Sequence, residues 1–323
     1  MEGDKMMLER LKEIGMTVNQ LSLLSGVRNS HLKQILNGYT RRPGRNILIR
    51  LALALSYGVR DINVLLKTYE QKEELSGTDI AYFKEAIEKR QNRSGYSAIH
   101  PGGFNFEIAT MSVEKTAGDI RLVTPVPHIV FRDFEEYFSR VLVSETEKQD
   151  NIYKEIRRFL FNERIRMFDE NIREHKVSHL ICKDCLVSYI RKRKENTDTE
   201  NIIKEFDTIL RRLAHENYDL KLTERCSCFK FHLRVPQNQG KKPGIVFSGN
   251  PVHPASHCSP EHGGETGALV GFVSDSEDLY KYFTIEFERL GRFATEESSD
   301  KSRLARYIAE LLEENGIKGR WEI

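Results

Sequence analysis

The sequence has little of what marks a secreted or membrane-bound protein. Its 323 residues include only five cysteines, and an odd number in a chain this long is not expected of a disulfide framework. No apolar run approaches the roughly 18 to 20 residues of a membrane span. The N-terminal segment, MEGDKMMLER, is charged, whereas a secretory signal requires an apolar core. We therefore expect a cytoplasmic protein of a prokaryote, without a membrane partner.

An excess of charge of one sign is also absent from the chain as a whole. Fifty Lys and Arg residues face 48 Asp and Glu residues, and the hydrophobic content is 39%. With a mean hydropathy of −0.51, this composition is typical of a globular protein. The length suits two or three domains.

The most informative stretch is Thr17 to Gly38, TVNQLSLLSGVRNSHLKQILNG. Thr17 followed by Gln20 predicts a capping box at the start of a short helix. Gly26 predicts a tight turn, because glycine adopts positive φ at little cost. Leu32, Ile35 and Leu36 recur at helical spacing and predict the buried face of a second short helix.

The other face of that second helix carries short polar side chains: Asn29, Ser30, Lys33, Gln34 and Asn37. Such side chains can hydrogen-bond to base edges, as a helix in a DNA major groove must. An ordinary solvated helix more often carries Glu/Lys pairs. An ordinary helical hairpin is the alternative interpretation.

This segment resembles the Cro/CI-type helix-turn-helix domains of phage repressors and of the wider xenobiotic-response-element regulators. The resemblance covers about residues 6 to 70 and implies five helices, the first at 6–14, the fourth at 46–57 and the fifth at 62–70. It is most specific around Asn37-Gly38 and Thr40-Arg41-Arg42-Pro43. In those repressors this loop carries basic residues to the phosphate backbone.

The resemblance implies site residues of two kinds. The base-reading positions are Asn29, Ser30, Lys33 and Gln34. The phosphate-contacting positions are Thr17, Arg28, Asn37, Arg41, Arg42 and Arg45. Arg28 stands where the family usually has a small polar cap, so it could contact a phosphate or a base.

Basic charge is concentrated in the same part of the chain. Residues 1–70 hold eleven Lys and Arg against six Asp and Glu, a formal charge of +5. Because the whole chain carries +2, residues 71–323 carry −3. A local excess of this kind favours DNA binding through counterion release.

Three regions are predicted: a DNA-binding domain at 1–72, a linker helix and connecting segment at 73–118, and a larger α/β or α+β domain at 119–323. In the middle region, 79–90 has helical spacing and could contribute to a dimer contact or be a solvated spacer. Further on, strand-like and helix-like segments alternate. The strand-like segments are 120–123, 128–131, 179–182, 220–235, 244–248 and 268–274. The helical segments are 134–142, 152–172, 201–216, 279–293 and 299–315.

The region after residue 119 resembles a C-terminal domain of unknown function that follows the same head in many actinobacterial regulators. The likeness lies in Val126-Pro127-His128, the Arg-rich helix at 156–168, the strand–loop–helix at 179–216 and the terminal pair of helices. The family's usual glycine and glutamine after the proline are missing. The resemblance implies a sensor domain without a specified ligand.

The strongest candidate for a metal or redox site is a set of four cysteines: Cys182, Cys185, Cys226 and Cys228. A CxxC at a strand-to-turn junction and a CxC pair on a strand could supply four thiolates to one zinc ion, or act as a redox sensor. Isolated cysteines on strands are also common as small buried hydrophobes. Zinc is therefore a candidate cofactor.

Two other features attract attention. Residues 249–266 form a loop with His253, His257, Cys258 and His262, which could ligate a metal but whose Pro, Ser and Gly content is typical of an exposed loop. The basic run 191–194 could touch nucleic acid, or could be a solvated helix end. The chain contains no recognisable nucleophile–base pair or acidic metal cluster, so we do not expect an enzyme.

These patterns predict a sequence-specific DNA-binding transcriptional regulator, a dimeric repressor whose C-terminal domain senses a ligand or mediates assembly. The expected partners are a double-stranded DNA operator, a second copy of the chain, and a small-molecule or protein effector. One alternative is an antitoxin or phage-defence interaction protein with an autoregulatory head. Another is a DNA-tethered hydrolase.

Overall fold

The chain folds into a helical head followed by a larger domain of helices around a mixed sheet, as the sequence predicts. The structure is a computed structural model that describes residues 2–90, 97–100, 103–115, 118–124, 127, 133–139, 149–196, 198–227, 229–236, 243–249, 270–319 and 321. In the described part of the chain, no helix is both long and apolar enough to cross a membrane.

The bounds of the elements are as follows. The helices are α1 (Glu2–Glu13), α2 (Val18–Ser25), α3 (Asn29–Leu36), α4 (Arg45–Ala54), α5 (Val59–Thr68), α6 (Ile80–Lys89), α7 (Gly103–Glu114), α8 (Phe134–Ser139), α9 (Asn151–Glu174), α10 (Lys183–Asn196), α11 (Thr199–Leu213), α12 (Glu277–Gly291) and α13 (Lys301–Glu314). The strands are β1 (Ser97–His100), β2 (Gly118–Thr124), β3 (Val177–Cys182), β4 (Tyr218–Thr223), β5 (Phe229–Pro236), β6 (Gly244–Gly249) and β7 (Val270–Ser274). Short 3₁₀ turns lie at Gly77–Asp79 and Glu296–Ser299.

Helices α1 to α5 form the head, and local sequence signals explain their ends. The Thr17 side chain accepts a hydrogen bond from the Gln20 backbone at 3.2 Å, and the Gln20 side chain accepts one from the Thr17 backbone at 2.7 Å. The predicted capping box is therefore present. Gly26 ends α2 in the left-handed conformation, with φ at +64°. An apolar set that includes Leu21, Leu32 and Ile35 fills the interior.

The predicted linker helix α6 packs against the head and is not a solvated spacer. Its residues Phe83, Ala86 and Ile87 are buried, and they belong to one apolar cluster that runs from the head through α7 to α9. A Cβ atom on Gly26 would lie 2.7 Å from the backbone oxygen of Lys89. The end of α6 therefore rests directly on the turn between α2 and α3.

Within the described residues, seven strands form one sheet in the order β1-β7-β6-β5-β2-β3-β4. Strands β2, β3 and β4 pair in parallel, and the other neighbours pair antiparallel. Parallel neighbours need long crossovers, which α9 supplies between β2 and β3, and α10 with α11 between β3 and β4. Apolar clusters seat α9, α10, α11 and α13 on one face of this half of the sheet, and α12 on the opposite face.

Several segments differ from the sequence-based expectation. Residues 97–114, assigned to the connecting segment, supply β1 to the sheet and α7 to the shared core. The single strand-like segment 220–235 is two strands, because β4 pairs with β3 while β5 pairs with β2 and β6. The segments 128–131 and 140–142 lie outside the described residues, as do Val126 and His128 of the likeness at the start of the C-terminal domain.

Candidate nucleic-acid interface and cysteine cluster

Helix α3 separates a buried apolar face from an exposed polar face. Leu32, Ile35 and Leu36 are buried in the head. The exposed residues are Ser30, Lys33, Gln34 and, directly after the helix, Asn37. An eight-residue helix held along its whole inner face has its outer face fixed in space. This outer face is the surface that the resemblance assigned to base reading, an assignment that stays a prediction.

Asn29, the first residue of α3, differs in its surroundings from the other predicted base-reading residues. It is half-buried, and its Nδ2 donates to Oδ1 of Asn19 on α2 at 3.3 Å. Its own Oδ1 is buried without a hydrogen-bond partner among the described residues. The amide is thus directed toward α2, and a base contact would require its side chain to turn outward.

The loop after α3 is exposed and basic. Gly38 adopts φ of +74°, and the backbone N–H groups of Tyr39 and Thr40 donate to the Gln34 carbonyl at 2.9 and 3.1 Å. Arg41 and Arg42 extend into solvent. Arg42 pairs with Glu70 at 2.5 Å, but both side chains are so exposed that the pair is screened and contributes about 0 to 1 kcal/mol. Both arginines are therefore accessible to phosphate groups.

Tyr39 is a candidate contact that the sequence analysis missed. Its side chain is 80% exposed, the highest fraction among the large hydrophobic residues described as exposed. It lies between the end of α3 and the two exposed arginines. The available signal was its position in the sequence, because an aromatic residue stands directly between the predicted recognition helix and the predicted phosphate-contacting arginines.

Arg45 was assigned to a phosphate, but the structure gives its side chain other partners. Its guanidinium donates to both carboxylate oxygens of Asp79 and to the carbonyl oxygens of Glu73 and Glu74, all within 2.7 to 2.8 Å. Burial raises the pKa of Asp79, but hydrogen bonds from Arg45 and the Ser76 backbone outweigh it and hold that pKa below its ordinary value. Arg45 therefore anchors the start of α4 to the turn before α6.

The remaining predicted phosphate contacts lie at the surface. Arg28 is exposed and makes no side-chain cap for α3. Thr17 is exposed, although its hydroxyl already participates in the capping box. Together with Lys33, Arg41 and Arg42, Arg28 places four exposed cations around one short helix. Their combined field attracts a polyanion.

A short helix seated on a capped partner helix, with polar side chains outward and cations beside it, defines a helix-turn-helix DNA-binding head. Comparison with known families agrees: residues 7–62 match the family model described as "Helix-turn-helix". This part of the chain is a Cro/CI-type helix-turn-helix domain, and the protein is a DNA-binding protein of the regulator class.

No curated protein matches the chain. Among solved structures, the chain is similar to TrmBL2, described as an archaeal chromatin protein with a novel mode of DNA binding, at 11% identity over 87% of each chain and a TM-score of 0.32. A TM-score this low says nothing about the fold or function of this chain. The resemblance of the C-terminal region to a sensor domain stays a prediction.

Three of the four predicted cysteine ligands lie together in the larger domain. Cys182 ends β3, Cys185 lies in the first turn of α10, and Cys226 follows β4. Their sulfur atoms all lie within 4.8 Å of one another, and the Cys185 and Cys226 sulfurs are 3.5 Å apart. Hydrogen bonds with Cys182 and Cys226, together with burial, raise the pKa of the Cys185 thiol. The zinc site and the redox sensor both stay predictions.

The other sequence-predicted features are distributed as follows. Cys228 lies outside the described residues, and so does the loop with His253, His257, Cys258 and His262. In the basic run 191–194, Arg193 is only 1% exposed and pairs with Glu205 at 2.9 Å. The CxxC motif spans a strand-to-helix junction, whereas a strand-to-turn junction was expected, and Cys226 lies between β4 and β5, whereas a position on a strand was expected. Arg193 supports packing between α10 and α11, while its neighbours in the run are exposed.

A buried polar row on the sheet was not visible in the sequence. His179 on β3 is fully buried, with hydrogen bonds to the Thr124 hydroxyl at 2.7 Å and the Tyr218 hydroxyl at 2.9 Å. Burial, reinforced by the charge of His232, lowers the pKa of His179 to about 3. Glu114 accepts from His232 at 2.8 Å. Burial alone would raise the pKa of Glu114, but Arg164 and His232 lower it to about 2.

Proposed function

We propose that this protein is a sequence-specific transcriptional regulator that binds its operator as a homodimer and represses. The observation that carries the proposal is the exposed polar face of α3, fixed by its buried inner face and flanked by exposed cations. The proposal assigns the chain no catalytic role. Its place of action is the compartment that holds the DNA, the prokaryotic cytoplasm.

In this proposal α3 enters the major groove and its outer side chains contact base edges. The Gln34 amide can form two hydrogen bonds with an adenine, and the Lys33 ammonium can donate to a guanine. Ser30 accepts or donates, and Asn29 joins them once its amide turns away from Asn19. Four side chains of this length span only a few base pairs, which is one half-site.

The phosphate contacts supply affinity that does not depend on sequence. Arg41 and Arg42 lie in the exposed loop after α3, and Arg28 lies immediately before the first residue of α3. Each phosphate that they neutralise releases counterions, so binding weakens as salt rises. Tyr39, between α3 and the two arginines, can pack on the sugar–phosphate backbone. Asn37 and Thr17 complete the set at the two ends of the motif.

A dimer follows from the small size of this contact surface. One half-site provides too few contacts for tight binding, and helix-turn-helix proteins commonly solve this with two half-sites one helical turn apart. The larger domain would then serve assembly and sensing. The continuous apolar cluster from the head through α6 and α7 to α9 supports this role, because a shift in the larger domain reaches the head through packed helices.

The proposal is tested by selecting duplexes from a random DNA library with the full-length chain. The expected result is an enriched inverted repeat whose half-sites lie about 10 base pairs apart, or a multiple of that spacing. An inverted repeat would show that two copies of the chain bind together, and its enrichment would show that they bind a specific sequence. A pool that remains random after repeated rounds, while the protein still binds DNA at low salt, would contradict sequence-specific regulation.

A further inference from the structure

The cysteine cluster joins two segments that are distant in sequence. Cys182 and Cys185 belong to the β3–α10 junction, whereas Cys226 lies 41 residues after Cys185 along the chain. Cys182 and Cys185 are buried and Cys226 is half-buried. Cysteines that are merely small hydrophobes have no reason to direct their sulfur atoms to a common point. Here all three do so, within 4.8 Å of one another.

This spacing suits a tetrahedral metal site. With zinc–sulfur bonds of about 2.3 Å, two thiolates on one zinc ion lie about 3.8 Å apart. The Cys185 and Cys226 sulfurs are 3.5 Å apart and no separation in the cluster exceeds 4.8 Å, which is close to that value. Small rotations about the Cα–Cβ bonds would bring all three thiolates into coordination. A single disulfide would use only two of the three sulfurs and leave the third without a role.

We propose that Cys182, Cys185 and Cys226 bind a Zn²⁺ ion that fastens this corner of the larger domain. Soft thiolate ligands favour zinc over the hard cations magnesium and calcium. Each ligand binds as a thiolate, so its thiol proton passes to solvent when the metal enters. The fourth ligand comes from water or from a further side chain, and Cys228 is the nearest thiol in the sequence.

The surroundings indicate what the ion would stabilise. In the β3–β4 register Cys182 lies opposite Thr223, whose hydroxyl is within 2.9 Å of the Arg225 carbonyl. The next residue, Glu224, donates its backbone N–H to the Phe293 carbonyl at 2.9 Å, and the Arg225 guanidinium lies 4.0 Å from the centre of the Phe293 ring. The end of β4, the start of α10 and the segment after α12 meet here. Zinc bonded to Cys185 and Cys226 would link the start of α10 to the segment that follows β4. Through the contacts of that segment with Phe293, it would also hold the segment after α12 in place.

The test is metal analysis of the full-length protein produced in zinc-containing medium and purified without chelators. The proposal expects about one zinc per chain, because a structural site is close to fully occupied. Cys185→Ser should lose at least nine-tenths of that zinc. The matched control is Cys258→Ser, the fifth cysteine of the chain, which should retain it.

A second measurement on the unaltered protein guards against misfolding of Cys185→Ser. Modification of the cysteine thiols with an organomercurial should release the bound zinc in proportion to the thiols consumed. Three results would overturn the proposal. They are fewer than about 0.1 zinc per chain, zinc that stays bound after all thiols react, and a metal-free chain with a Cys185–Cys226 disulfide.

Discussion

The guanidinium of Arg45, the first residue of α4, donates to both carboxylate oxygens of Asp79, at 2.7 and 2.8 Å. The Arg45 side chain is 19% exposed and that of Asp79 only 4%. The pair joins the head to the turn that begins α6. On the same interface Arg50 of α4 is buried with Glu85 of α6 3.9 Å away. Two of the head's eleven basic residues therefore face the following helix, and they are not available to DNA.

Arg45→Ala should lower the free energy of unfolding and leave the salt dependence of DNA binding unchanged. Removing the arginine leaves the buried Asp79 carboxylate without its main partner, which costs about 2 to 3 kcal/mol. Arg42→Ala is the matched control. It should change stability by less than about 0.5 kcal/mol and reduce the salt slope by about 1. Urea unfolding and binding titrations across salt concentrations measure both quantities. A shallower slope for Arg45→Ala at unchanged stability would make Arg45 a phosphate contact after all.

A pair of glycines isolates the contribution of α6 to the head. Gly15 and Gly26 have φ of +63° and +64°, but a Cβ on Gly15 meets nothing within 4 Å, whereas one on Gly26 would lie 2.7 Å from the Lys89 backbone. Gly15→Ala should cost about 1 kcal/mol for the backbone conformation alone. Gly26→Ala should cost at least about 1 kcal/mol more, through the overpacked contact with α6. Equal unfolding midpoints for the two variants would show that α6 does not rest on the turn.

Local signals made the head predictable. The Thr17–Gln20 capping box, the Gly26 turn and the leucine spacing of α3 each act within a few residues, and all three are present. Most strands of the sheet were also found, since short apolar runs mark them. What the sequence could not reveal is which partners a side chain meets across the fold. Arg45 and Asp79 are 34 residues apart, and nothing near Arg45 distinguishes it from Arg41 or Arg42.

Three elements were missed: α7, β1, and α10, which occupies the stretch between the predicted segments 179–182 and 201–216. Helix α7, GFNFEIATMSVE, has apolar residues all round, because α6 and α9 pack on one side of it and β6 and β7 on the other. It therefore lacks the stripe that marks a surface helix. Strand β1 has only four residues. The cysteine cluster was half predictable: the CxxC spacing suggested ligands, but only the parallel pairing of β3 and β4 brings Cys226 beside them.

The buried His179 should make the protein sensitive to mild acid. The pKa of His179 is about 3 in the folded protein, whereas the ordinary value for a histidine, expected in the unfolded chain, is 6.5. The unfolded chain therefore binds the proton first as the pH falls. The contribution of His179 to the free energy of unfolding is therefore fully present above about pH 6.5 and is lost toward pH 3. The loss is about 2 kcal/mol between pH 7 and pH 5. His179→Gln should remove this part of the decline in urea unfolding measured at both pH values. A variant that loses as much stability as the wild type would contradict the assignment.

Tyr39 should contribute to DNA binding and not to folding. Because its ring is almost fully in solvent, Tyr39→Ala should change the unfolding free energy by less than about 0.5 kcal/mol. Affinity should fall several-fold, and equally for all sequences, because a contact with the sugar–phosphate backbone carries no base information. Titration of one specific and one scrambled duplex measures this. Unchanged affinity for both duplexes would remove Tyr39 from the interface.

The most direct test of base reading by α3 is the ratio of affinities for the selected operator and a scrambled duplex of equal length. For Gln34→Ala this ratio should fall by about 1 to 3 kcal/mol, or roughly 5- to 150-fold. Affinity for the scrambled duplex should stay at the wild-type value. If Gln34→Ala, and then Ser30→Ala and Lys33→Ala, all keep the wild-type ratio, α3 does not read the sequence and the account is wrong.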